Sequence, residues 1–427
     1  MDVSPLKRSR EFRLLFSGQL VSWMGSQLTV VGVAIQVYAL THSSFAVGMV
    51  SLAQLPPTLI GALVGGAIVD SRDRRRLMMF AQVAQGLMSV GLALNAMQHR
   101  AAVWPLYVLT AAAAGLSGID RPARAAVVPN TVDKRQLPAA MALWQIQMQL
   151  AIVIGPAVAG LLIAAFHGHL APVFWIDTAT FGVALFSVFL MRPLPPEGGG
   201  TKASLGSVAE GLRFLKGRQV LQGTFLIDIN AMVFGMPRAL FPALGTTLFH
   251  GGPQTVGLLF AAPGAGALVG AATTGWVGSV HRHGRAVIIA VIVWGAAIAG
   301  FGVTSWLPLA LLLLAVAGAA DVVSAVFRNT MLQSTTPDSL RGRLSGVHIG
   351  VVTGGPRLGD AEAGAVAAVT SPRISVVSGG LACVVGALVV ARALPRFTRY
   401  VADDSGEPHS PAATTLGVAE ETEIKGV

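Results

Sequence analysis

Four charged side chains stand inside runs that are otherwise apolar. Asp228 lies in FLIDINAMVF, and Arg357, Asp360 and Glu362 lie in GGPRLGDAEAG. A charge at the middle of a bilayer costs about 2.5–3.5 kcal/mol, so each is expected to face a cavity or a partner. With a helix starting near Ser345, Arg357 sits about 18 Å in at 1.5 Å per residue, close to the midplane. Arg357 and Asp360 are three apart and share a helical face, while Glu362 points elsewhere. Two readings stand. One is an anion site at Arg357 beside a titratable carboxylate, Asp360 or Glu362; the other is a self-neutralising structural pair. Asp228, with Asn230 at similar depth, has no evident partner on its own helix. Burial without a partner disfavours the charged form, which suits a group that takes up and releases a proton. The rival for Asp228 is pairing with a neighbouring helix, for instance at Arg357.

Uncharged polar groups also fall at helical spacing. Gln19, Trp23 and Gln27 form one stripe, and Gln145 and Gln149 form another. A glutamine in lipid must find a partner, so both stripes are expected to face inward, either lining a cavity or bonding between helices. Asp120 with Arg124 and Asp321 with Arg328 read as structural pairs. The nine histidines lie mostly in loops with no metal spacing, and the single cysteine, Cys383, permits no disulfide within the chain. No phosphate-binding loop, HExxH or GxSxG is present, so no cofactor, no metal and no enzymatic activity are expected.

The elements that position these groups are apolar helices. Of 427 residues, 53% are hydrophobic and 12% charged, where soluble domains have roughly a quarter charged. Stretches of about 20 apolar residues span a bilayer as helices, and the alternation of barrel strands is absent. The spacing predicts twelve spans: 13–39, 46–69, 77–97, 103–127, 137–165, 171–191, 220–247, 254–279, 285–305, 307–332, 344–370 and 373–394. The fourth and eleventh carry the most charge. The net charge of +10 collects in alternate loops, those holding Arg72, Arg74, Arg75, Arg76, Lys134, Arg135, Arg282 and Arg285 among others. The opposite loops hold only Arg100 and Arg373. That asymmetry puts both termini in the cytoplasm and reads against anionic lipid rather than nucleic acid.

The segment 192–219 opens with prolines and glycines and continues SLGSVAEGLRFLKG, which suggests a short amphipathic surface helix. It divides the chain into 1–191 and 220–394, with a polar tail over 395–427 expected to be disordered. The two parts repeat. VGMVSLAQLPPTLIGALVGG from Val47 matches VGLLFAAPGAGALVGAATTG from Val256, and the loops beginning at Gly66 and Gly275 align at the same offset.

The loop after the second span, with Gly66, Asp70, Arg74, Arg75 and Arg76, resembles the signature of the major facilitator superfamily. Ser71 and Asp73 depart from it. GPAVAG, with Gly155, Pro156 and Gly160, looks like that superfamily's antiporter motif, and DRPARAAVVPNTVDKRQLPAAMAL (120–143) is similar to the bacterial group that includes the enterobactin exporter and macrolide efflux proteins. The resemblance implies an all-α membrane protein of two pseudo-symmetric six-helix halves, working as a monomer. It further implies a cytoplasmic latch in which Asp70 caps the eleventh span and Arg74 bridges Asp70 to Asp120. The expected activity is export of an amphipathic small molecule, such as a siderophore or antibiotic, against protons across a bacterial inner membrane. An importer, a lipid flippase and a transport-inactive scaffold or sensor are the alternatives. The usual arginine of the outer fourth span is missing from LYVLTAAAAG (106–115), which departs from the common proton-coupling arrangement.

Overall fold

The computed structural model describes residues 2–193, 210 and 213–401, apart from the side chains at positions 66, 67, 70, 71, 278, 338, 339 and 341. Most of the expected surface helix in the 192–219 segment and the tail beyond 401 lie outside the described residues; the described part of the former is helical over 213–215. No strand occurs among the described residues. The helices run α1 (Ser4–Arg8), α2 (Arg10–Thr41), α3 (Ser44–Ser71), α4 (Arg74–Ala96), α5 (Trp104–Thr131), α6 (Leu137–Ala165), α7 (Ala171–Phe189), α8 (Gln219–Phe234), α9 (Phe241–Thr247), α10 (Pro253–Ala272), α11 (His283–Val303), α12 (Leu307–Thr335), α13 (Asp338–Val369), α14 (Pro372–Ala393) and α15 (Pro395–Thr398).

Short connections make sequential long helices antiparallel, so one face of the bundle carries the loop at 72–73 and the described ends of the chain. We call this the terminal face and its opposite the far face. Side-chain caps set several starts: Ser9, Ser43 and Ser371 accept from the third backbone N–H that follows each. Asp73 accepts from Arg75 N at 2.8 Å and Arg76 N at 3.2 Å. The acid that departs from the loop signature is therefore the N-cap of α4.

Among the described residues, ten helical segments are long and apolar enough to cross a membrane. Two further helices, α5 and α13, have 28 and 32 residues but are diluted by charge, α5 by Asp120, Arg121 and Arg124 and α13 by Arg343, Arg357, Asp360 and Glu362. The seventh predicted span is not continuous. Its helix stops at Phe234, turns through Gly235–Pro237, makes a 3-10 turn at Arg238–Leu240 and resumes as α9. Pro237 has no N–H and disfavours helix at Met236, so the break is written in the sequence. The tail boundary also shifts: Pro395–Thr398 is helical, and Phe397 is fully buried against Gly223 and Gly284, because it is the apolar residue in a polar stretch.

Helices α2–α7 pack chiefly among themselves, as do α8–α14, and the main contacts between these groups are α3 with α13 and α6 with α10. The buried clusters locate those contacts. Val47, Val50 and Phe174 share a cluster with Ala239, and Ala159, Ile163 and Val173 share one with Val256; both lie near the far face. Toward the terminal face, one cluster holds Phe12, Met78 and Val127, and another holds Leu221, Phe225, Leu344 and Val347, with no member in common between the groups. Among the described residues, buried clusters join the groups at the far face and stay separate at the terminal face. On α13 the glycines at 342, 346, 350 and 354 form one stripe, four residues apart. A Cβ at Gly354 would touch Leu55 of α3 at 3.5 Å, whereas Gly342, Gly346 and Gly350 have nothing near them. Among the described residues, the α13 glycines below Gly354 meet nothing of α3.

Candidate functional site

Asp360 sits where the groups meet. It is 4% exposed and receives three contacts from two elements. Ser51 Oγ of α3 donates to its Oδ2 at 2.7 Å, and Ala239 N donates to its Oδ1 at 3.2 Å. The Arg238 guanidinium lies 3.6 Å from Oδ2. The break after α8 makes this possible, since residues past a helix break present backbone N–H groups that no preceding turn accepts. Trp294 Nε1 holds the other side of the break, donating to Gly235 O at 2.8 Å. The backbone of α3 must also come close, because a Cβ on Gly48 would collide with the Asp360 carbonyl.

Arg357 does not pair with Asp360, although the two share a helical face. Its Nη1 donates to Thr353 O at 2.7 Å, one turn back, and its Nε is buried without a partner. The cation on Asp360 is Arg238, carried by the turn that follows the break in α8. Glu362 is half-buried and makes no hydrogen bond or ion pair among the described residues.

Asp228 is not a lone acid. Arg328 Nη1 of α12 is 2.5 Å from Asp228 Oδ1, and Arg328 Nη2 is 3.8 Å from Asp321. His348 of α13 packs edge to face against Phe225, one turn before Asp228 on α8. Helix spacing could link Asp321 with Arg328, but a partner on another helix has no signature in local sequence. Asn230 separates from Asp228 because residues two apart point to different sides of a helix. Its Nδ2 donates to Cys383 O of α14 at 2.9 Å, so it ties two helices rather than joining the acid.

In the first group, Trp23 meets Trp144 of α6 edge to face at 5.2 Å, and Gln27 lies against Gly155. Gln19 is buried with its Oε1 unpartnered. The buried glutamine of α6 is Gln147, which donates to Phe16 O at 3.0 Å. Gln145 is exposed and Gln149 half-buried, and neither is hydrogen-bonded among the described residues. The sequence reading also passed over Asp177 of α7. It is 2% exposed and accepts from Thr29 at 2.6 Å and Ser89 at 2.9 Å. An acid within FWIDTATFG carries the same signal that singled out Asp228.

The loop signature divides. The surroundings of Gly66 and the side chain of Asp70 lie outside the described residues. Arg74 does not reach Asp120: its Nη1 donates to Ala126 O at 3.0 Å, while Asp120 is taken by Arg124 at 2.5 Å on its own helix. Four-residue spacing lets that pair form within one helix. The GPAVAG motif is a contact surface. A Cβ on Gly160 would lie 2.7 Å from Pro253 O and 3.0 Å from Gly257 Cα, and one on Gly257 would meet Pro156 O at 2.5 Å. Among the described residues no group of three acids, histidines or cysteines could hold a metal ion.

A family model described as transmembrane secretion effector matches residues 2–419. The chain is 27% identical over 400 residues to the enterobactin exporter EntS of Citrobacter koseri, covering 94% of this chain and 95% of that protein. The same identity and coverage hold for EntS of Escherichia coli O81 (strain ED1a). Among solved structures, the nucleoside transporter NupG superposes with a TM-score of 0.70 at 13% identity, covering 91% of this chain and 99% of that one. A bacterial homolog of the human lysosomal transporter Spinster, inward-facing and unoccupied, gives 0.68 at 15% identity, covering 92% and 97%. At such identities the structural likeness carries the fold alone. The family match spans nearly the whole chain, and these proteins are transporters rather than enzymes. The chain belongs to the transmembrane secretion effector family, within the major facilitator superfamily.

Proposed function

We propose that this chain is a secondary active exporter of an amphipathic small molecule in a bacterial inner membrane. It works by alternating access. Two groups of six spans, the seventh being α8 with α9, rock about the contacts α3–α13 and α6–α10. Helices α5 and α13 complete the twelve spans, and burial of Asp120, Arg124 and Asp360 inside protein supports this, since intramembrane charges turn away from lipid. The Val47–Val256 offset supports the pseudo-symmetry, because it carries α3 onto α10. Both termini lie in the cytoplasm, on the face whose loops hold most of the arginine.

The observation that carries the reading is the uneven seam. The groups interlock at the far face through Ser51–Asp360 and Gly160–Gly257 and part toward the terminal face. In the opposite state the terminal face closes, with Asp70 and Arg74 as its latch. The drive is proton antiport, with Asp360 as the carrier and Asp228 as the second candidate. A proton on Asp360 would cancel the charge that Arg238 faces and loosen the far-face seam, so proton uptake and outward opening favour each other. The protein acts as a monomer. The curated relatives' substrate, enterobactin, supports a siderophore-like cargo.

Accumulation of dyes, antibiotics and catechol siderophores in an efflux-deficient bacterial host, with and without an uncoupler, tests this. Reduced accumulation that the uncoupler restores is expected. Increased accumulation in cells expressing the chain would mean import. Unchanged accumulation of every compound, with the protein confirmed in the membrane, would sink export of this cargo class.

A further inference from the structure

A basic pocket opens on the terminal face. Its cavity of about 380 Å³ lies between the α1–α2 junction, the loop from α5 to α6 and the residues that follow α7. Hydrogen bonds staple these three walls to one another and to α1. The Ser9 hydroxyl donates to Thr131 O, Arg192 N donates to Glu11 Oε2 at 3.1 Å, and Gln136 Nε2 donates to Ser4 Oγ at 3.4 Å. Ser9 is held twice, because it also caps α2 by accepting from Phe12 N at 3.0 Å. The lining is therefore a built surface rather than a gap between loose loops.

The lining carries three arginines, Arg8, Arg10 and Arg192, and two acids, Glu11 and Asp133. All three arginines are exposed, and none of their guanidinium groups makes a hydrogen bond or ion pair among the described residues. One positive charge is left over, the complement of a phosphodiester, and a guanidinium fork matches paired phosphate oxygens. A second cavity, of about 470 Å³, is an apolar groove between the start of α4 and the last turns of α7, lined by Phe80, Val83, Phe186 and Phe189 among others. These side chains are exposed, as expected where a helix faces lipid tails. The groove ends at Phe189, three residues before Arg192. Arg75 lies over the Phe189 ring, 5.5 Å from its centroid, and its Nε donates to Val188 O at 3.2 Å. The end of α7 thus joins an apolar groove to a cationic pocket. Basic pockets beside membrane spans recruit anionic headgroups.

We propose that this pocket and groove bind an anionic phospholipid, with its phosphodiester held by Arg8, Arg10 and Arg192 and one acyl chain lying along Phe186 and Phe189. Phosphate chemistry alone would also admit a free inorganic phosphate. The adjoining groove favours the lipid, since a soluble anion makes no use of it. One lipid bound there ties the start of α2, the α5–α6 loop and the end of α7, and so braces the terminal end of the first group. The site uses neither Asp360 nor Asp228. It needs only that the chain sit in a membrane, so it stands or falls apart from the exporter reading.

The test is lipid retention by the purified full chain in native mass spectrometry, with dioleoylphosphatidylglycerol and dioleoylphosphatidylcholine offered in equal amounts. Selective retention of phosphatidylglycerol is expected. Its apparent affinity should weaken at least about tenfold in the triple variant Arg8→Gln, Arg10→Gln, Arg192→Gln, which removes three cations from the headgroup. Removing the same charge from the terminal face of the second group, by Arg282→Gln, Arg285→Gln and Arg392→Gln, should leave retention near wild type. Phe186→Ser with Phe189→Ser should lower it. The three pocket arginines are exposed, so the first variant is expected to fold; size exclusion checks this, and Arg192→Gln alone replaces it if it aggregates. No preference for phosphatidylglycerol, equal loss in the two arginine variants, or wild-type retention in the pocket or groove variant would overturn the proposal. Melting curves separate the two sources of phosphate. Phosphatidylglycerol should raise the melting temperature and inorganic phosphate alone should not. An equal rise with inorganic phosphate, lost in the pocket variant, would assign the pocket to a soluble anion and overturn the lipid.

Discussion

The Ser51 hydroxyl donates to the Asp360 carboxylate at 2.7 Å, joining a helix from one group to a helix from the other. The contact lies toward the far face, so in the proposed alternating cycle it belongs to one of the two states. Removing it should shift the balance between states and leave the fold of each group intact.

Ser51→Ala is expected to weaken far-face closure by about 1 kcal/mol, the net worth of one hydrogen bond, and so to raise the open population about fivefold. Asp360→Asn should do more, because it also removes the charge facing Arg238. Spin labels at Ser43 and Thr370 would report the change by electron–electron distance measurement. Both variants should lengthen the mean distance, and an unaltered distribution for Asp360→Asn would show that this node does not hold the seam.

The Asp228–Arg328 pair makes a contrasting prediction. Both side chains are nearly fully buried, at 1% and 4% exposure. Asp228→Asn leaves Arg328 with only the distant Asp321 carboxylate, and an uncompensated buried charge costs about 3–5 kcal/mol. The melting temperature of the purified variant should fall clearly. Adding Arg328→Gln should restore part of it. If Asp228→Asn melts like the wild type yet stops transport, Asp228 serves coupling rather than structure.

What the sequence disclosed and what it hid follow one rule. Features that depend on a single helix were legible: the apolar spans, the loop arginines and the Asp120–Arg124 spacing. Partners on different helices were not. Asp360 was visible as a buried acid, but nothing local pointed to Ser51 at a separation of 309 positions or to the backbone of Ala239. Arg357 and Asp360 share a face, yet a carbonyl one turn back was the nearer acceptor for Arg357. The broken seventh span was readable from Gly-Met-Pro and lost because the hydropathy of 220–247 stays high across the break.

Gly160→Val tests the other seam. The added side chain would press on Pro253 O and the Gly257 backbone, and backbone gives way less readily than a flexible side chain. Membrane insertion should be normal, because no span changes, while efflux should drop at least to about a tenth, the consequence of a 1.4 kcal/mol bias against one state. Wild-type efflux would mean that α6 and α10 do not need this approach.

Gly346→Val should leave the structure described here undisturbed, since nothing lies near that position. Transport should nevertheless fail, because the terminal face could no longer shut. Cysteines at Leu59 of α3 and Ile349 of α13, both exposed here, should cross-link during turnover in an otherwise wild-type chain and lose that cross-link in the variant. Equal cross-linking in both would rule out the glycine stripe as a closing surface.

The stripe at 342, 346, 350 and 354 has a further consequence. Each glycine weakens a helix by roughly 0.5–1 kcal/mol relative to alanine, so four together withhold roughly 2–4 kcal/mol from α13. Judged by its neighbours in this state, the stripe is a defect that alanine would mend. In the proposed cycle it becomes half of a surface whose other half arrives in the opposite state. Stabilising replacements there would make a sturdier protein and a slower machine. On the proposed cycle, the lower part of α13 is an imprint of a shape the molecule has left and must return to.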